Sequence, residues 1–145
     1  MKIINSMRTV FESRSVNEAY GRTAVAAFLA GVDPTVEEIS DIKTAVSEAV
    51  TNAIVHGYRD RLDKVYITVK LTEDNRAIIQ IKDKGCGIAD IRQAREPLFT
   101  TCTTGERAGL GFSVMESCMD RVRVYSTPDK GTTVVLEKKL HSKGV

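Results

Sequence analysis

The chain is short of the residues that build covalent or metal-held scaffolds. It has three cysteines, Cys86, Cys102 and Cys118, and only two histidines. The count is odd, no C-x-x-C pair occurs, and zinc-type spacing is missing, so free thiols in a reducing compartment are the reading. A surplus of charge is lacking too. The 21 basic and 19 acidic residues leave a net +2, without the clustered basic excess of a nucleic-acid binder. The longest mostly apolar run, Ala24 to Val32, is about half a membrane span. The start, MKIINSMRTV, has no signal-peptide core. There is no internal repeat, low-complexity tract or long linker. These absences point to a soluble, cytoplasmic protein that meets neither membrane nor nucleic acid directly. The 145 residues, 42% apolar and 28% charged, suit one folded domain over 1–145.

Residues 2–12 read as extended. Ser15-x-x-Glu18 reads as a capping box opening a helix that stops near Gly31. Thr35-x-x-Glu38 is a second capping box, opening a longer helix expected to end at Gly57. Strands follow at 65–71 and 77–83, where apolar and polar residues alternate, with a hairpin turn at 73–76. A glycine-bearing loop spans Asp83 to Gly87, and a short helical piece lies near Ile91 to Arg95. Residues 97–109 are polar and long for a connection, as lids and binding loops often are. A third helix is expected from Gly109 to Met119, then strands at 121–126 and 132–140. The order predicts an α/β sandwich with helices on one face of a sheet.

On the second helix, Ile39, Ile42, Val46, Ala49, Val50 and Ala53 form the apolar stripe. Glu48, Asn52 and His56 follow at steps of four. The first two fall to one side of the stripe, where a solvated helix edge would also place them. Asparagine is a weak helix former, and an amide oxygen beside a carboxylate suits a hard cation such as Mg²⁺. That carboxylate could also take a proton from an attacking hydroxyl. His56 reads as a helix-end residue that could cap carbonyls. In 83-DKGCGI-88, Gly85 and Gly87 permit a plain turn or a close ligand approach. In 105-GERAGLGF-112 no Walker A pattern exists. Gly109 and Gly111 stand where a helix begins, a place that favours anions, with Arg107 nearby. Taken singly, each pattern is weak.

Their order is more specific: E-x-x-x-N on a helix, D-x-G-x-G after a strand, G-x-G opening a helix, and G-T-T at 131–133. That order resembles the Bergerat-fold (GHKL) ATPases. SEAVTNAIVHGY, PLFTT and ERAGLGFSVME narrow the resemblance to the anti-sigma factor serine kinases. The resemblance implies a two-layer α/β sandwich with a mixed, mostly antiparallel sheet and an ATP lid. It implies ATP or ADP with Mg²⁺ as cofactors. Glu48 matches the general base and Asn52 the Mg²⁺ ligand. Asp83 matches the adenine-reading carboxylate, helped by Thr132, with Gly85 and Gly87 shaping its pocket. Thr101, Thr104, Arg107, Gly109 and Gly111 match the lid and phosphate region, with Arg107 also acting in catalysis. The implied activity is serine phosphorylation of an anti-anti-sigma antagonist, together with inhibition of a sporulation sigma factor of the sigma F type. The resemblance also implies a homodimer in which residues 2–12 extend the partner's sheet. Glu18 and Arg22, one turn apart on the first helix, are candidate partner-binding residues, although an intrahelical ion pair would place them equally well. Two other functions compete: a nucleotide-gated sequestering module without phosphotransfer, and a histidine-kinase catalytic domain.

Overall fold

The computed structural model describes residues 2–95 and 111–141. The expected lid, with Thr101, Thr104, Arg107 and Gly109, lies outside the described residues. Five strands form one sheet: β1 (Ile3–Glu12), β2 (Lys64–Thr72), β3 (Arg76–Asp83), β4 (Arg121–Thr127) and β5 (Gly131–Lys139). Their order is β1-β2-β3-β5-β4. Every pairing among these strands is antiparallel, so the expected mixed sheet has no parallel pair in the described residues. The period-2 pattern predicts which faces are buried. Val65, Ile67 and Val69 are fully buried beside Ile79, Ile81 and Leu136.

Helices α1 (Asn17–Leu29), α2 (Val36–Thr51), α3 (Ile91–Ala94) and α4 (Phe112–Cys118) complete the described elements. α2 packs against both α1 and α4. Its stripe of Ile42, Val46, Ala49 and Val50 is buried in the common core with Val25, Leu29, Phe112 and Met115. Burial of each such aliphatic side chain contributes about 1.5–3 kcal/mol.

The two capping boxes part company. At α2, the Thr35 hydroxyl accepts from the Glu38 N–H at 3.1 Å, and the Glu38 carboxylate accepts from the Thr35 N–H at 2.9 Å. At α1 the expected box does not form. Val16 occupies the cap position without a side-chain bond. The Glu18 carboxylate is held instead by Arg22 at 2.5 Å and by the Ser47 hydroxyl of α2 at 2.6 Å. A charge-assisted tertiary contact outcompetes the local cap. α1 also ends before Gly31. A short 3₁₀ turn, Ala30–Val32, follows it, and Asp33 takes the left-handed conformation at φ 51°.

α2 does run on to Gly57, but its last turn changes type. Residues Asn52–Gly57 form a π-helix, in which the Tyr58 N–H reaches back five residues to the Ala53 carbonyl at 2.9 Å. Such turns cluster at functional sites. The wider turn moves its side chains off the 100° phase of the α-helix, and Asn52, Ala53 and His56 are buried there.

Thr35→Ala should destabilise the protein by about 1 kcal/mol, as loss of a bonded N-cap does. Ser15→Ala, whose hydroxyl caps nothing, should stay within about 0.5 kcal/mol of wild type. Urea denaturation of the two variants would distinguish them, and equal losses would restore the first capping box.

Candidate nucleotide-binding site

Asp83 is the last residue of β3 and pairs across the sheet with Thr132 of β5. Both are buried, at 6% and 9% exposure. Asp83 is surrounded by backbone rather than side chains. The Gly85 N–H donates to its Oδ1 at 2.8 Å. A Cβ on Gly57 would sit 2.9 Å from the Asp83 carboxyl carbon, and one on Gly85 would meet the Gly57 carbonyl oxygen at 2.2 Å. The Cys86 N–H closes this contact by donating to the Gly57 carbonyl at 2.9 Å. The end of the π turn is thereby locked onto the D-x-G-x-G loop.

Above Asp83 opens a cleft with about 460 Å³ of empty space, part of it continuous with solvent. Asn52, Asp83, Thr132, Gly87 and His56 supply its polar and backbone lining, and Ala49, Ile81, Ile88, Phe112 and Val134 its apolar walls. A few convergent polar groups in an apolar cleft are the usual makeup of a small-molecule site. The arrangement sets one buried carboxylate, Asp83, beside apolar walls.

Burial pushes the Asp83 carboxyl up to about 6, against the pull of the Gly85 and Thr132 N–H groups and the Arg61 charge. Burial also raises the Tyr58 phenol. Tyr58 lies directly behind the site, donating to the Lys64 carbonyl at 2.5 Å and accepting from the Lys84 N–H at 2.7 Å.

Asn52 and Glu48 open onto different spaces. Asn52 lines the cleft with Asp83. Glu48, one turn earlier, lines a neighbouring open groove with Arg22, Lys43 and Ser47. Gly111, which starts α4 at φ 72°, lies so close that a Cβ there would be 2.2 Å from Glu48 Oε2. That position favours glycine for its left-handed backbone angle, and a side chain there would displace the Glu48 carboxylate. Gly87, at φ 74°, is similarly crowded by the Thr127 carbonyl. Glu18 and Arg22 form the intrahelical ion pair at 2.5 Å, and Arg22 also borders the groove that holds Glu48.

The sequence reading passed over several lining residues. His56 was set aside as a helix-end residue, yet it is buried at 8% in the cleft wall. Its place on the Glu48–Asn52 line was the available signal. Arg59, which also lines the cleft, takes a left-handed backbone at φ 56°, which no motif announces. Among the described residues, no group of three or more His, Cys, Asp or Glu could hold a metal ion.

The raised Asp83 pKa makes a stability prediction for the nucleotide-free protein. Its folded value lies above the ordinary 3.8, so the folded state holds more protons between pH 4 and 6. Stability should then fall as pH rises through that window, by an amount on the order of 3 kcal/mol. Asp83→Asn should remove this slope. Chemical denaturation at pH 4.5 and 6.5 checks it, and identical pH dependence in the two proteins would contradict the buried carboxylate.

Comparison with known proteins places the chain in a family. Residues 11–138 match the model of the histidine kinase-like ATPase domain. The anti-sigma F factor of Pasteuria penetrans is 52% identical over 139 residues, covering 95% of this chain and 93% of the relative. That of Bacillus subtilis strain 168 is 50% identical over 137 residues, covering 94% and 93%. Among solved structures, the RsbU and RsbW domains of a Mycobacterium tuberculosis protein align with a TM-score of 0.69 at 19% identity, over 98% of this chain and 35% of that one. The histidine kinase domain of a blue-light activated kinase from Erythrobacter litoralis aligns at 0.55 and 19% identity, over 85% of this chain and 60% of that one. The last two likenesses concern the fold. On the match of its domain and the extent of its identity, this chain belongs to the anti-sigma F factor family of histidine kinase-like ATPase domains.

Proposed function

We propose that the chain binds ATP and ADP in the Asp83 cleft, inhibits a sigma factor, and phosphorylates a serine on the anti-anti-sigma protein that opposes it. The observation that carries this reading is the shared helix. Asn52 faces the adenine-type cleft, while Glu48, one turn away, faces an open groove that reaches Arg22 on α1. A nucleotide and a docked protein would thus meet at adjacent turns of α2.

Asp83 would accept from the exocyclic amine of adenine, a donor that guanine replaces with an acceptor. Thr132 would assist at the ring edge. Asn52 offers a neutral amide oxygen suited to Mg²⁺. Mg²⁺ usually takes one or two protein oxygens and completes its shell with phosphates and water, and Asn52 would supply one of them. When bound, Mg²⁺ supplies charge neutralisation on the phosphates. Glu48 would orient the incoming serine hydroxyl and take its proton, since phosphoryl transfer depends mainly on positioning and charge. Arg107, with Thr101, Thr104, Gly109 and Gly111, is assigned to the phosphates on the family pattern. Glu18 and Arg22 border the face offered to protein partners, and the Ser47 bond to Glu18 ties that face to α2. The exposed edge strand β1, with Ile3, Ile4 and Val10 at its surface, supports the homodimer reading. No described helix is long and apolar enough to cross a membrane.

Glu48→Gln should keep ATP affinity within about threefold and slow phosphotransfer by about 10²–10⁴-fold. Labelled ATP with the anti-anti-sigma protein reads both, and unchanged transfer would refute the base assignment. No label on the antagonist with the wild-type protein, while sigma inhibition persists, would leave the sequestering reading. Asp83→Asn exchanges an acceptor-only group for a mixed one and should weaken ADP by about tenfold or more. Equal ADP affinity in calorimetry would remove Asp83 from the adenine site.

A further inference from the structure

Among the described residues, four other than glycine take a positive φ: Asp33, Arg59, Asn75 and Asp129. Three are Asp or Asn, whose short polar side chains tolerate the left-handed conformation. Arg59, at φ 56°, has no such compensation. Backbone held in that region by a long side chain is a mark of functional sites. Arg59 is exposed and lines the cleft with Asn52, His56 and Asp83. The cations near it in the chain are engaged. Arg61 donates to the Lys84 carbonyl at 2.9 Å, pairs with Asp63 at 3.8 Å and lies 5.3 Å from the Tyr58 ring centroid. Lys84 lies over the Tyr66 ring at 5.0 Å. Arg59 has neither a hydrogen bond nor an ion pair among the described residues.

An unpaired cation on the wall of a ligand cleft is matched by an anionic ligand. The cation whose charge reaches the Asp83 carboxyl is Arg61, so the Arg59 guanidinium stands off from the buried end of the cleft. With the amine of the ring at Asp83, the groups that reach the exposed rim first are the ribose and the phosphate attached to it. We infer that Arg59 is a nucleotide-binding residue whose guanidinium pairs with that first phosphate, and so sets nucleotides apart from nucleosides. The planar fork of an arginine matches two phosphate oxygens at once. It also leaves the outer phosphates to Arg107 and the glycines assigned with it. The left-handed turn at Arg59, directly after the π turn and Tyr58, is then the cost of bringing this side chain onto the cleft wall. The inference rests on the adenine reading of the cleft.

The test is calorimetric titration of the full chain with adenosine, AMP and ADP. Arg59→Ala should bind AMP and ADP about tenfold more weakly, as loss of one charged hydrogen-bonding group does, and leave adenosine within about twofold. Arg59→Lys keeps the charge without the fork and should fall between the two. Raising the salt concentration should shrink the preference for AMP over adenosine more in the wild type than in Arg59→Ala. Equal weakening of all three ligands would assign Arg59 to the ring or to the fold and overturn the inference. Unchanged AMP affinity, or a loss confined to ADP, would overturn it as well. Arg59→Gly relieves the backbone, so it should raise the urea midpoint of the nucleotide-free protein while losing the same affinity as Arg59→Ala. A glycine variant less stable than the wild type would show that Arg59 serves the fold, against the proposal. Asp83→Asn separates the two levels. If it binds all three ligands normally, the adenine reading fails; if it weakens all three while Arg59→Ala spares AMP, only the Arg59 inference fails.

Discussion

A carboxylate buried at the end of a central strand sets the terms for the rest of the molecule. Asp83 has little water around it, so its charged form is costly unless backbone donors surround it. Gly85 and Thr132 provide them. That arrangement brings backbone within van der Waals distance of the carboxylate, and two side chains must be missing for it to fit, at Gly57 and Gly85. Gly57 is in place because α2 ends in a π turn. The helix end, the loop after β3 and the start of β5 are thus held together around one side chain.

The π turn also divides the labour of the helix. An uninterrupted α-helix would stack Glu48, Asn52 and His56 along one line. Widening the turn at Asn52 buries Asn52 and His56 in the cleft wall, while Glu48 remains on the outer groove. In the proposed reaction, this places nucleotide and protein substrate on opposite sides of one helical turn. Gly111, whose left-handed backbone opens α4, lies against the Glu48 carboxylate. The ion pair of Glu18 and Arg22 has a double attachment, because Ser47 joins it to α2 just before Glu48. A partner pressing on α1 would therefore be in mechanical contact with the turn that carries Glu48.

Much of this was legible in the residues. Alternation at 65–71 and 77–83 and the stripe on α2 predicted the layers, because burial on one face imposes a period that composition cannot hide. The order of E-x-x-x-N, D-x-G-x-G, G-x-G and G-T-T pointed to one site; Asn52, Asp83, Gly87 and Thr132 line one cleft, whereas Glu48 lines a neighbouring groove. Local signals failed where tertiary contacts offered a better bond. Ser15 and Glu18 have capping-box spacing, yet Glu18 turns to Arg22 and Ser47. His56 looked like a helix end because a π turn has no spacing signature of its own.

The sequence by itself determined the element order, the buried faces and the chemical types available at the site, because periodicity and residue chemistry are local properties. Only the tertiary structure decided that Gly57 and Gly85 must touch and that Glu48 and Asn52 face different spaces. Those outcomes depend on distances between residues on different elements, such as Gly57 and Gly85, and packing alone sets such distances.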